Sequence, residues 1–197
     1  MSQLSKQAQL DALTKKMSAC SECILRAQCS RVVPGEGNAE AEIMFIGEAP
    51  GKKEDETGKP FVGSSGRILN KMFADINIQR EDIYLTNICK CRPPENRDPL
   101  PEEIIACWPW LEKQIKIINP KIIITLGKYA LNYFLSTAKI SEVHGKIINI
   151  DIKKVGEIKL FPLHHPAAAR INKKTRALFE KDFKKISKVL KKIKSEG

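Results

Sequence analysis

The run KIIITLG at residues 121–127 constrains the fold more than any other stretch of the chain. Its centre is continuous in apolar and β-branched residues, without the alternation of a half-exposed strand. That pattern suits a strand covered on both faces, as in a parallel sheet. Three more short strands are expected at AEIMFIG (41–47), DIYLTNI (82–88) and EIKLFPL (157–163), the last preceded by a hairpin-like excursion from residue 143. Helical spacing separates them. SSGRILNKMFADIN (64–77) carries the stripe Ile68, Leu69, Met72 and Phe73, and residues 4–17 carry Leu4, Leu10, Leu13 and Met17. PEEIIACWPWLEKQIKIINP (101–120) reads as a helix kinked at Pro109, and KYALNYFL (128–135) as another. A stripe of Phe179, Phe183, Ile186, Leu190 and Ile193 marks a lysine-rich C-terminal helix that docks on its own domain.

Strands alternating with helices predict right-handed crossovers and a mostly parallel sheet, hence the α/β class. One domain is expected over residues 1–197. It would begin with a helix and a cysteine-bearing segment (1–35) and end with a basic helix over about 174–195. In such sheets ligands gather beyond the carboxyl ends of the strands. The loops concerned are EAPGKKED, TNICKC, LGKY and LHHPAA.

Formal charge is +11, and from Arg170 onward eleven lysines and arginines face three acids, an excess of eight. A basic excess of this size favours a polyanion, most simply nucleic acid. The start, MSQLSKQAQLDALTKKM, is polar, and no apolar run approaches the roughly 20 residues that span a bilayer. A cytoplasmic protein without membrane contact is expected.

Six cysteines in a reducing compartment argue against a disulfide framework. Cys20 and Cys23 form C-x2-C, Cys89 and Cys91 flank a lysine at a strand end, and Cys107 falls in the next helix. Four thiolates suit tetrahedral zinc or an iron–sulfur cluster, and spacing does not separate the two. Cys29 and Cys89 suit packing as well as ligation, because four ligands suffice.

GEAPG (47–51) joins a strand end to a carboxylate and two glycines, which let backbone approach a ligand. Phe61 in KPFVGSSGR (59–67) is either core or a stacking surface, and Ser64 and Ser65 either cap a helix or hold a phosphate. Asn87 stands at a strand end where a core position would take an apolar residue. Its carboxamide offers a donor beside an acceptor, matching the O4 and N3–H of uracil and mismatching cytosine. His165, beside His164 and before Pro166, could donate toward developing negative charge.

In this order and spacing, GEAPGKKED, KPFVGSSG, TNICKCRPPENRDPLPEE and HHPA closely resemble the family 4 uracil-DNA glycosylases, the iron–sulfur enzymes of thermophilic bacteria and archaea. The resemblance covers about Cys20 to Ala168. It implies the uracil-DNA glycosylase fold, a three-layer α/β/α arrangement around a central four-stranded parallel sheet. It further implies one structural 4Fe–4S cluster held by Cys20, Cys23, Cys91 and Cys107. The implied reaction is hydrolysis of the N-glycosidic bond of deoxyuridine in single- or double-stranded DNA, leaving an abasic site for base excision repair.

Within that resemblance, Phe61 stacks on the everted base and Asn87 reads its Watson–Crick edge. Backbone at Gly47, Glu48 and Ala49 contacts the pyrimidine oxygens, and His165 stabilises the departing uracil anion. Ala49 replaces the water-activating aspartate of other uracil glycosylases, so Glu48 is the candidate for orienting water. Glu54 is the candidate that excludes thymine. Ser64, Ser65 and Arg67, with Ala168, Ala169 and Arg170, are expected on the DNA side, and Lys173 and Lys174 on phosphates. A monomer is expected, with a replication sliding clamp as a candidate recruiter. Two other readings are a non-catalytic, metal- or cluster-stapled nucleic-acid-binding module and a glycosylase of wider deaminated-base range.

Overall fold

The computed structural model describes residues 4–195, with side chains through residue 191. Its sheet has six strands: β1 (Glu36–Gly37), β2 (Ile43–Gly47), β3 (Tyr84–Asn87), β4 (Ile122–Leu126), β5 (Ile148–Ile152) and β6 (Gly156–Leu163). They lie in the order β1-β3-β2-β4-β6-β5. The inner four are parallel, as expected, but β1 and β5 add antiparallel edges, so the four-stranded sheet is corrected to six. β1 spans only two residues and has no apolar alternation to betray it. Short, polar edges of this kind discourage pairing with another chain.

Helices cover both faces. They are α1 (Lys6–Ser18), α2 (Ile24–Gln28), α3 (Lys52–Thr57), α4 (Ser64–Asp75), α5 (Pro101–Ile118), α6 (Lys128–Phe134), α7 (Ile140–Val143), α8 (Pro166–Ile171), α9 (Lys173–Phe183) and α10 (Ile186–Ser195). Side chains alternate along the central strands, and each set meets its own helices. Ile43, Phe45, Ile122, Ile124 and Phe161 pack with Leu69 and Phe73 of α4 and with Phe179, Phe183 and Ile186 of α9 and α10. Met44, Ile46, Ile123 and Leu160 pack with Leu10, Leu25, Leu111, Ile115 and Leu131 from α1, α2, α5 and α6. The result is the expected three layers.

Three expectations change in detail. α5 runs unbroken through Pro109, whose ring lies on the exposed side. The single C-terminal helix is two, interrupted at Lys184 and Lys185, where buried Asp182 accepts from Lys185 Nζ at 2.6 Å and pairs with His144 at 2.5 Å. Phe179, Phe183 and Ile186 do dock on the sheet, while Ile193 lies outside the described side chains. The short helices α2, α3 and α8 occupy segments whose sequence reads as loop or irregular chain, too brief for a periodic signal.

Candidate functional site

Beyond the carboxyl ends of β2, β3 and β6 lies a cleft of about 490 Å³, lined by Glu48, Ala49, Phe61, Asn87 and His165 among others. Gly47 ends β2 directly opposite Asn87, which ends β3. A Cβ on Gly47 would stand 2.4 Å from Asn87 Oδ1 and 2.7 Å from Phe61 Cζ, so only glycine admits both groups. Asn87 is buried, and among the described residues its carboxamide has no hydrogen-bond partner. A donor and an acceptor are therefore presented to the cleft.

Phe61 holds a left-handed backbone, φ 52°, that a bulky residue adopts only under constraint. The constraint is visible. Arg80 donates to the carbonyls of Phe61 at 3.2 Å and Pro60 at 2.8 Å, while Glu54 Oε1 accepts from the amides of Val62 at 3.0 Å and Gly63 at 2.7 Å. A Cβ at Gly66 would fall 1.7 Å from the Phe61 carbonyl oxygen, so α4 also passes close beneath. Glu54 thus lines the cleft and braces the aromatic at the same time.

His165 Nδ1 accepts from the Ala167 amide at 3.1 Å, which puts the proton of the neutral ring on Nε2. Burial pushes its pKa down to about 4, so the ring is a neutral donor at physiological pH. His164 turns elsewhere: its ring packs 4.7 Å from His144, and its Nε2 is buried with no hydrogen-bond partner among the described residues. Only His165 of the pair reaches the cleft.

Glu48 follows β2, its carbonyl receiving the Cys89 amide at 2.9 Å. Burial raises its carboxyl to about 7, the Asp98 carboxylate adds to the rise, and Lys128 opposes it. Asp98 belongs to a stretch of the cleft wall that sequence reasoning gave no role: Asn96, Arg97 and Asp98. The Tyr129 hydroxyl donates to the Asp98 carboxylate. Arg97 forms a two-pronged pair with buried Glu103, at 2.9 and 2.6 Å, holding that carboxyl below its usual range. Glu95 and Asn96 are both left-handed, φ 54° and 56°. The turn formers of PPENRDP were the available signal for this wall.

Of the expected DNA-side residues, Ser64 and Ser65 line the cleft at the start of α4, whereas Arg67 is exposed outside its lining. Ala168, Arg170, Lys173 and Lys174 are exposed. Ala169 is only 2% exposed, in the core against α4 and α9, so its side chain has no surface to offer DNA. Ile171, at the end of α8, is 80% exposed.

Cys20, Cys23, Cys91 and Cys107 line a common second cavity, together with Lys90. Cys107 Sγ accepts from the Lys90 amide at 3.2 Å. A hydrogen bond from Cys89 and the nearby Lys90 charge draw the Cys107 thiol down to about 7, while burial pushes Cys23 and Cys91 up. Cys29 and Cys89 are buried in the adjoining core. Among the described residues no three His, Cys, Asp or Glu side chains stand at metal-holding distance from one point.

Residues 34–192 match the model of the uracil DNA glycosylase superfamily. The chain is 45% identical over 183 residues to a type-4 uracil-DNA glycosylase of Sulfurisphaera tokodaii, covering 90% of this chain and 83% of that protein. A type-4 uracil-DNA glycosylase of Saccharolobus solfataricus is 45% identical over 187 residues, covering 92% of this chain and 86% of the relative. The enzyme of the same name from Archaeoglobus fulgidus is 41% identical over 185 residues, covering 91% and 92%.

Proposed function

Because the chain belongs to the type-4 uracil-DNA glycosylases of the uracil-DNA glycosylase superfamily, we infer that it hydrolyses the N-glycosidic bond of deoxyuridine in DNA. It releases uracil, leaves an abasic site and so initiates base excision repair. A base inside a duplex is out of reach, so it is everted at a cost of roughly a few kcal/mol. The everted ring stacks on Phe61. Asn87 accepts from N3–H and donates to O4, an arrangement that cytosine reverses.

As the N1–C1′ bond breaks, its electron pair passes to the pyrimidine and negative charge grows on O2. The Nε2–H of His165 meets it, already neutral and oriented by the Ala167 amide. A preorganised donor of this kind is worth about 3–4 kcal/mol in comparable anion sites. Water adds to C1′ and gives its proton to Glu48, whose pKa near neutrality leaves a useful fraction ionised. Glu54 keeps the Phe61 turn in place and is our candidate for the wall against the C5 methyl of thymine. Ser64 and Ser65 hold a phosphate, and Ala168 and Arg170 brace the duplex where the base left. Lys173 and Lys174 begin α9, where a helix dipole disfavours cations, and phosphate offsets that penalty.

The four thiols lining the second cavity fit one 4Fe–4S cluster, with the Lys90 amide already aimed at one sulfur. Such a cluster would act as a cross-link between the α1–α2 segment, the β3–α5 loop and α5. No bond of the substrate is broken there. Brown protein with broad visible absorption supports this assignment, and colourless protein holding stoichiometric zinc overturns it.

A cytoplasmic monomer is the accompanying reading, supported by six free thiols and by the docking of the C-terminal apolar stripe inside its own domain. No described helix is long and apolar enough to cross a membrane. A replication clamp as recruiter belongs to the same proposal.

The observation that carries the function is the meeting of Asn87, Phe61 and Gly47 within contact distance in the cleft that also holds His165. A binding module needs no such constellation. Incubation with single- and double-stranded uracil-containing DNA tests it: abasic sites and free uracil are expected, and their absence across salt and temperature would retire the enzyme.

A further inference from the structure

Lys90 is 2% exposed, the one lysine among the described residues buried to this degree. Its ammonium has three donors, and each finds an acceptor at 2.7 Å: Thr86 Oγ1, the Asn87 carbonyl and Gln114 Oε1. None of the three is a carboxylate. The acceptors are themselves held. Gln114 Nε2 donates to the Pro34 carbonyl at 2.8 Å and to Tyr84 Oη at 3.1 Å, and the Thr86 hydroxyl donates to the Pro34 carbonyl at 2.8 Å. Burying an uncompensated cation is costly, and an apolar side chain of the same length would fill this space more cheaply. Such a network specifies geometry rather than adding stability.

What it specifies is the end of β3. Thr86 and Asn87 close that strand, and the Lys90 ammonium holds the Asn87 carbonyl from below while the carboxamide faces the cleft. On its other side Lys90 lines the thiol cavity, and its amide donates to Cys107 Sγ at 3.2 Å. Gln114 lies seven positions after Cys107 on α5, two turns along the same helix. One residue therefore touches both the thiol centre and the base-reading strand end.

We propose that Lys90 is a positioning residue that fixes the Asn87 carboxamide for base recognition and ties its placement to the thiol centre. The inference rests on the uracil-excising reading above. It assigns Lys90 no contact with the substrate; it acts through Asn87.

The test is a double-mutant cycle in the full-length protein under single turnover, with duplex affinity, thermal unfolding and visible absorption followed alongside. Lys90→Met keeps the stem and removes the donors. It is expected to lower the excision rate about 100-fold, the usual consequence of a misplacement near 1 Å. Duplex affinity should hold, because the phosphate contacts lie elsewhere. In an Asn87→Ala background the same change should cost less than about twofold, since residues acting through one another are not additive. Thr86→Val, which removes one of the three acceptors at constant shape, carries the same cycle if Lys90→Met fails to fold. Full additivity in a folded variant overturns the proposal and leaves the enzyme reading intact. A wild-type protein that releases no uracil removes both.

Discussion

Gly47 and Asn87 face each other across the β2–β3 pair at a separation that admits no side chain on residue 47: a Cβ there would lie 2.4 Å from Asn87 Oδ1. Both the amide and the Phe61 ring owe their places in the cleft to that missing carbon. Gly47→Ala is therefore expected to lower uracil excision by about 100-fold while leaving the sheet folded, because the reading groups shift and the core does not. Single-turnover rates beside circular dichroism check this; an alanine variant as fast as the parent removes Gly47 from the site.

His165 predicts both a rate and a pH dependence. His165→Ala should lose about 100- to 1,000-fold in rate with unchanged DNA affinity. Its folded pKa, about 4, lies below the ordinary 6.5, so the unfolded chain binds more protons between those values. Stability from this residue is present above 6.5 and declines as pH falls toward 4. Urea midpoints measured across that window should slope downward with acid, and less steeply in His165→Gln.

Glu48, raised to about 7 by burial and by Asp98, should give the excision rate a rising limb centred near neutrality. Glu48→Gln removes the limb along with most of the rate. Asp98→Asn takes away a like charge and should move the limb to lower pH. A profile unmoved by either change places the proton acceptor elsewhere.

The thiols divide into two groups. Cys91→Ser and Cys107→Ser should lose bound iron, visible absorption and several degrees of thermal stability, because they line the shared cavity. Cys29→Ala and Cys89→Ala should retain the absorption, as neither lines that cavity. Iron content measured on all four separates ligands from neighbours.

β2 and β4 were legible because their residues are apolar or β-branched without interruption, and the layers followed from the helical stripes between the strands. β1 was not, since two residues carry no period. Ala169 misled because α8 is too short to show which face it buries, and the core took that face. Asn87, Phe61 and His165 stood out as residue types unusual at strand ends or in glycine-rich loops. Asn96, Arg97 and Asp98 did not, because their places depend on contacts across the chain: Arg97 with Glu103 and Asp98 with Tyr129. The role of Lys90 was equally hidden, as a lysine in sequence reads as solvent-facing.

Phe183 stacks 6.0 Å from Phe45 of the central strand β2, so the lysine-rich terminus is anchored at the middle of the sheet. Cutting the chain before Phe183 would take that ring from the sheet, whereas a cut after Ile186 would shed Lys188 and Lys191 and leave it seated. The same segment is a structural wedge on its inner face and a charged skin on its outer one.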